Sequence, residues 1–261
     1  MKIPFKPSNL SALAASAVVA LTANSAHAAL ALVNFGSTAY TSDGVNTWQT
    51  FNLVAANTIP ASSTVGTSQT WVNNVALNTT TNASSGITIN IAAVVVKNLG
   101  SGPFNGLSNS AGPSAATFNA PTSGTKPTWF DSSSAAQREG VRFFDFNITY
   151  TFSGFATTDT VQFDFAVGGG GSGTEVRELT LSRVGGTTLL NDVGTIQKAY
   201  YPTVTGLTGA TSYSFLARST GVTTSEAAIN AIGMTVTPIP EPSTFALLGL
   251  GGLALLRRRR K

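Results

Sequence analysis

Two stretches near the middle of the chain alternate strictly between large apolar and polar residues. In the first, Phe144, Phe146, Ile148, Tyr150 and Phe152 interleave with Asp145, Asn147, Thr149 and Thr151. In the second, Val161, Phe163, Phe165 and Val167 interleave with Gln162, Asp164 and Ala166. Successive side chains of an extended strand point to opposite faces, so a period of two gathers the aromatic rings on one side. Each stretch therefore predicts a strand with one buried and one polar face.

The same texture recurs along the chain. Strands are predicted over 48–54, 176–183, 213–218 and 229–237, and 187–191 follows the turn pair Gly185-Gly186 to close a hairpin with 176–183. Residues 87–96 become almost continuously apolar, which predicts a central strand covered on both faces. Segment 98–137 is rich in Gly, Pro, Ser, Asn and Ala, and a loop that long is uncommon unless it is functional or hides short elements. Residues 117–119 and 128–130 read as short strands within it. No repeat of fixed period points to a solenoid or propeller. Helical periodicity is absent from the body, and short strands with Gly-rich turns predict an all-β fold, an antiparallel β-sandwich of the jelly-roll kind.

Composition excludes much chemistry. The 261 residues contain no Cys and one His, His27. Without Cys there is no disulfide framework and no thiol nucleophile, and without His in the body there is no Ser-His-Asp triad. Zinc, blue-copper and His-ligated haem sites lose their usual ligands in the same way. No cofactor, metal site or catalytic residue is predicted, and the body is read as non-enzymatic. The formal charge of +4 is a property of the ends. Of 15 Lys and Arg, two lie in the first 28 residues and five in the last five, leaving eight against ten Asp and Glu in the body. A net charge of about −2 leaves no basic footprint for nucleic acid.

Both ends read as addresses. Lys2 and Lys6 precede an apolar stretch over 10–21, and Ala26-His27-Ala28 supplies the small-x-small pattern of a signal peptidase site. Residues 1–28 are predicted to be a signal peptide read by the secretion machinery and signal peptidase, with Ala26 and Ala28 at the site. At the other end, Pro240-Glu241-Pro242 is followed by an apolar run over 245–256 and by Arg257, Arg258, Arg259, Arg260 and Lys261. As a helix, 243–256 would be about 21 Å long, short against a hydrocarbon core of about 30 Å. The five cations would hold the chain end on the cytoplasmic side. Local thinning and snorkelling Arg side chains would cover the mismatch.

Motif, apolar segment and basic end resemble the PEP-CTERM sorting signal of Gram-negative bacteria. The resemblance implies a substrate of an exosortase, a membrane-embedded transpeptidase-like protease. Such a protein is exported through the inner membrane, held there transiently, cut near the motif, and released or transferred to the cell surface. The body is loosely similar to extracellular domains carried by such proteins, through Asn34-Phe35-Gly36, Asn46-Thr47-Trp48 and the closing 228–232 segment. That likeness favours a galactose-binding-like jelly roll. The expected organisation is a signal peptide over 1–28, a β-sandwich over 29–237 and a sorting segment over 238–261.

Within the body several groups invite a site. Trp129, Tyr200 and Tyr201, in loop-like surroundings, could stack on the rings of an extracellular polysaccharide, with Trp48, Trp71 and Tyr40 as further aromatics; the competing reading is core packing. Asp145 and Asp164 could form a carboxylate pair of the glycosidase or polysaccharide-lyase kind if they share a sheet face; the competing reading is two solvated outer-face residues. Glu175 and Glu178 beside the 168–173 glycine run lack the Lys and helix of a phosphate loop. Asp43, Asp131 and Asp192 lack the acidic spacing of a Ca²⁺ loop. The function expected is that of an exported surface or exopolysaccharide-matrix protein with a structural or adhesive role, with a carbohydrate-binding module as the alternative.

Overall fold

Burial follows the alternation residue by residue. The computed structural model describes residues 29–42, 44–59, 63–96, 107–110, 112–143, 146–168, 177–194, 198–218 and 227–238. The described residues are mostly β, 56% strand and 8% helix. In chain order the strands are β1 (Ala29–Phe35), β2 (Gln49–Phe51), β3 (Ser68–Asn78), β4 (Ser84–Val95), β5 (Leu107–Ser110), β6 (Ser123–Gly124), β7 (Gly140–Phe143) and β8 (Phe146–Ser153). They continue as β9 (Thr160–Gly168), β10 (Arg177–Arg183), β11 (Thr188–Gly194), β12 (Ala199–Tyr201), β13 (Thr203–Leu207), β14 (Ser212–Arg218) and β15 (Ala227–Thr237). Three short helices lie among them: α1 (Leu53–Ala56), α2 (Ala115–Asn119) and α3 (Ala135–Arg138). Residues 29–236 form one compact unit.

The compact unit contains two largely antiparallel sheets. One has nine strands along the order β2-β1-β15-β9-β12-β6, with β13, β7 and β5 attached beside it. The other has six, in the order β11-β10-β14-β8-β4-β3. Four antiparallel pairings are nested: β1 with β15, β8 with β14, β9 with β12 and β13, and β10 with β11. The β12–β13 strand is broken at Pro202, which has no N–H to donate; its carbonyl instead accepts from the Phe165 amide at 2.9 Å.

The sheets pack face to face through the rings that the alternation placed on one side. Phe152 of β8 meets Phe163 of β9 at 5.0 Å between centroids, and Phe163 meets Phe215 of β14 at 4.7 Å. Phe35 of β1 reaches Tyr150 across the same interface at 5.2 Å. All five are essentially buried, and a fully buried side chain of this size contributes roughly 1.5–3 kcal/mol. The predicted hairpin is present as β10–β11, with Gly185 at φ +72° in its turn.

Four expectations are revised. Residues 117–119 belong to α2, whose first turn is capped by Ser114 Oγ accepting from the Thr117 amide. Residues 128–130 form a turn closed by the Phe130 amide on the Pro127 carbonyl. The predicted strand 48–54 shortens to β2, because the Asn52 side chain accepts from the Ala55 amide and starts α1. Residues 87–95 alternate in burial; Ala92 is half-buried and Val94 is 38% exposed, so β4 is covered on one face only. It stands second from the sheet edge, beside β3. That strand's alternation is broken by three register shifts, which hid it from a period-two search.

Residues 1–28, 144–145 and 239–261 lie outside the described residues, and with them the signal peptide, Asp145, the Pro240-Glu241-Pro242 motif, the apolar run and the basic end.

Candidate functional site

Residues 112–139, most of them in the long polar segment, form a strap laid on the outer face of the nine-stranded sheet. Phe118 of α2 and Trp129 and Phe130 of the following turn are buried against Leu32, Ala166, Ala199, Tyr201 and Ala231 of the sheet, together with Trp48. The rings form a continuous chain: Tyr40–Trp48 at 5.3 Å, Trp48–Trp129 at 5.6 Å, Trp129–Phe130 at 6.0 Å and Phe130–Tyr201 at 5.7 Å. Edge contacts of this kind add to area burial. The Tyr201 hydroxyl donates to the Phe118 carbonyl at 3.0 Å, and burial pushes its phenol pKa well above the ordinary value.

Small sheet residues make room for these rings. A Cβ on Gly233 would stand 2.5 Å from the Trp129 indole, and one on Gly168 would stand 2.5 Å from the Phe118 ring. Glycine is used here for close approach, since it weakens a strand otherwise.

Polar groups fasten the far end of the strap. The Asn34 amide donates to the Ala136 carbonyl at 3.2 Å and the Asn230 amide to the Arg138 carbonyl at 2.6 Å, both from fully buried side chains. The buried Gln137 side chain accepts from the Asp131 amide at 2.7 Å. Glu139 accepts from the Ser37 hydroxyl and, at 2.8 Å, from the Thr38 amide. Burial pushes the Glu139 carboxyl up, but the hydrogen bonds from Ser37 and Thr38 together outweigh it and hold its pKa below the ordinary value. The Asp131 carboxyl is also held low, chiefly by the Ser133 hydroxyl and amide.

The residues proposed from sequence take definite places. Trp129, Tyr200 and Tyr201 are 7%, 7% and 2% exposed. Trp129 and Tyr201 meet in the outer core, whereas Tyr200, one residue along the strand, faces the core between the sheets. Stacking on a sugar needs an open ring face, and none of the three presents one; the surroundings that looked loop-like are packed. Asp164 is buried and accepts from Gln162 Nε2 at 2.9 Å and from the Thr203 hydroxyl at 2.8 Å. Strands β8 and β9, predicted from the two alternating stretches, lie in different sheets, and Asp145 is outside the described residues. Among the described residues no three metal-ligating His, Cys, Asp or Glu side chains come together.

A feature that was not singled out as a site is the outer face of the six-stranded sheet. Its β8 positions Asn147, Thr149, Thr151 and Ser153 alternate with the buried Phe146, Ile148, Tyr150 and Phe152 and stay half-buried. The signal was the polar half of the alternation, read only as solvation.

At the C-terminus, residues 238–261 match the PEP-CTERM protein-sorting motif. The chain therefore carries the sorting signal of an exported protein handled by an exosortase and anchored transiently in a membrane. Among the described residues no helix is long and apolar enough to cross a membrane. No curated protein matches the chain. Among solved structures it is similar to dimeric latent PorU from Porphyromonas gingivalis, at 13% identity and a TM-score of 0.28, over 35% of this chain and 10% of that one. It is also similar to the exo-β-1,3-galactanase from Phanerochaete chrysosporium with galactose, at 15% identity and a TM-score of 0.26, over 55% and 32%. A third likeness is to a family GH115 4-O-methyl-α-glucuronidase, at 12% identity and a TM-score of 0.27, over 39% and 14%. The chain spans a third or less of each of these proteins, and likenesses of this size bear on neither substrate nor activity.

Proposed function

We propose that this chain is an exported, non-catalytic protein of the cell surface or exopolysaccharide matrix, with a structural or adhesive role. Residues 1–28 direct export through the inner membrane, 29–237 are the folded body, and 238–261 hold the chain in the membrane until an exosortase cuts near Pro240-Glu241-Pro242. The match of 238–261 to the sorting motif carries this reading. The body's use of its own side chains supports it. Its aromatic rings face one another, and Asp164 is engaged by Gln162 and Thr203.

The winding we propose for the body is a galactose-binding-like jelly roll with an insertion. Taking β1, β8, β9, β10, β11, the broken β12–β13 strand, β14 and β15 as eight strands, the first pairs with the last and the second with the seventh. The third pairs with the sixth and the fourth with the fifth, as in one long hairpin folded over on itself. On this reading residues 36–145 are the insertion, and they supply β3, β4 and the strap.

Deleting residues 240–242 tests the sorting step. Uncut precursor should accumulate in the membrane fraction of the producing cells. Release of the deletion variant at the wild-type rate and size would sink the exosortase reading.

A further inference from the structure

The outer face of the six-stranded sheet is a lattice of short polar side chains. Register places Thr151 between Asn90 and Ser214, and Ser153 between Thr88 and Ser212. The next row runs from Ala92 through Thr149 and Leu216 to Ser182. Neighbouring strands lie about 4.8 Å apart and alternate residues about 6.7 Å, so hydroxyl and amide groups repeat in two directions at similar height. Some are already oriented: Thr151 Oγ1 and Ser214 Oγ are hydrogen-bonded at 2.9 Å, and the Thr180 hydroxyl donates to Asn191 Oδ1 at 3.2 Å.

The chemistry of this face narrows its partner. Among the described residues of this face's rows the one charge is Arg218, at a margin opposite Asn147. Without clustered cations the face has nothing to offer phosphates or an anionic glycan. It has no aromatic ring and no Arg near its centre, the usual anchors of a protein hot spot. Short side chains, four of them already hydrogen-bonded in two pairs, lose little rotamer freedom on binding. Ala92 and Leu216 add small apolar areas against which the C–H face of a pyranose can rest.

We infer that the outer face of the six-stranded sheet is an interaction surface for a neutral polysaccharide, its hydroxyls bonded by the Thr, Ser and Asn rows. The inference rests on the proposed matrix role and names the partner class and the face. It also moves carbohydrate recognition from the buried aromatics to the uncharged lattice.

Protein released by producing cells can be co-sedimented with the neutral and with the anionic polysaccharide fractions of those cells' extracellular matrix. Wild type should pellet with the neutral fraction. Thr149→Lys with Thr151→Lys should lower the bound fraction about tenfold or more, because a cation would lose its water against uncharged hydroxyls. Thr151→Val with Ser214→Ala, which adds no charge, should lower it severalfold, while Thr187→Lys in the exposed β10–β11 turn should change nothing. Equal binding by wild type and both face variants overturns the inference, as does retention on neither fraction. A face variant that turns a dimer into a monomer in size-exclusion chromatography overturns it too, by giving the face to a second copy of the chain. Export and C-terminal cutting are scored separately, so a variant that is processed normally but does not bind leaves the sorting reading intact.

Discussion

The two sheets of this protein treat their outer faces in opposite ways. The nine-stranded sheet covers its face with a strap and a second aromatic core, whereas the six-stranded sheet leaves Thr, Ser and Asn half-buried. The residues beneath each arrangement account for the difference. Beside Leu32 and Tyr201, outer positions of the first sheet include Ala166, Ala199, Ala231 and Gly233, too small to cover a sheet but suited to receive indole and phenyl rings from above. Outer positions of the second carry hydroxyls and amides that bond to neighbours or solvent without a lid. A sandwich whose two outer faces differ this much presents one surface for recognition and commits the other to stability.

The largest expected contrast comes from the strap. Phe118 is fully buried between Phe130, at 5.1 Å, and Tyr201, at 6.3 Å. Phe118→Ala should cost about 3–5 kcal/mol through lost burial and the cavity left behind. Thr151→Ala on the bare face should stay within about 0.5 kcal/mol of wild type. Urea melts of both variants check this. A Phe118→Ala midpoint close to wild type would mean that the outer core is an ornament of the sandwich and not part of its stability.

A smaller effect tests whether the sheet was shaped to receive the strap. Gly233→Ala adds one methyl to a strand, a change that ordinarily helps by lowering the conformational entropy of the unfolded chain. Here that methyl would stand 2.5 Å from Trp129, so the expected sign is reversed and the cost is about 1–3 kcal/mol. Thermal melts of Gly233→Ala, alone and with Trp129→Ala, separate the two terms. If the alanine lowers the midpoint equally in both backgrounds, the indole is not what the glycine accommodates.

The two faces were also unequally legible. The inner rings of β8, β9 and β14 and the polar rows outside β8 can be read from a period of two, because a strand's alternation depends only on its own backbone. The outer core cannot. Phe118 sits in a five-residue helix among Ala, Thr and Asn, and Ala166, Ala231 and Gly233 look like weak strand residues until the rings above them are seen. Trp129 leaves stacking and core packing open in the sequence for the same reason: a turn far from any alternation looks available, and nothing local says that a sheet lies beneath it. The sorting motif needed no tertiary context at all, since Pro240-Glu241-Pro242, the apolar run and the cations are consecutive.

The smallest effect concerns how the strap is fastened, and it makes the covered face the acid-sensitive one. Glu139 is bonded through its carboxylate to Ser37 and Thr38, just past the end of β1. Its folded pKa lies below the ordinary value, so it contributes stability that is present above the unfolded pKa and lost as pH falls through the folded one. Asp131, held low by Ser133, titrates in the same direction, so Glu139→Gln is the variant that isolates one group. Trp48 and Trp129 report the outer core, and Trp71, against Phe146 at 5.9 Å, reports the core between the sheets. As pH falls below the carboxylate range, fluorescence of a Trp71→Phe protein should change before that of a protein keeping Trp71 alone. Glu139→Gln should flatten that early acid limb at unchanged neutral-pH emission. An identical acid limb in the variant would leave the buried amides of Asn34 and Asn230 as what holds the strap down.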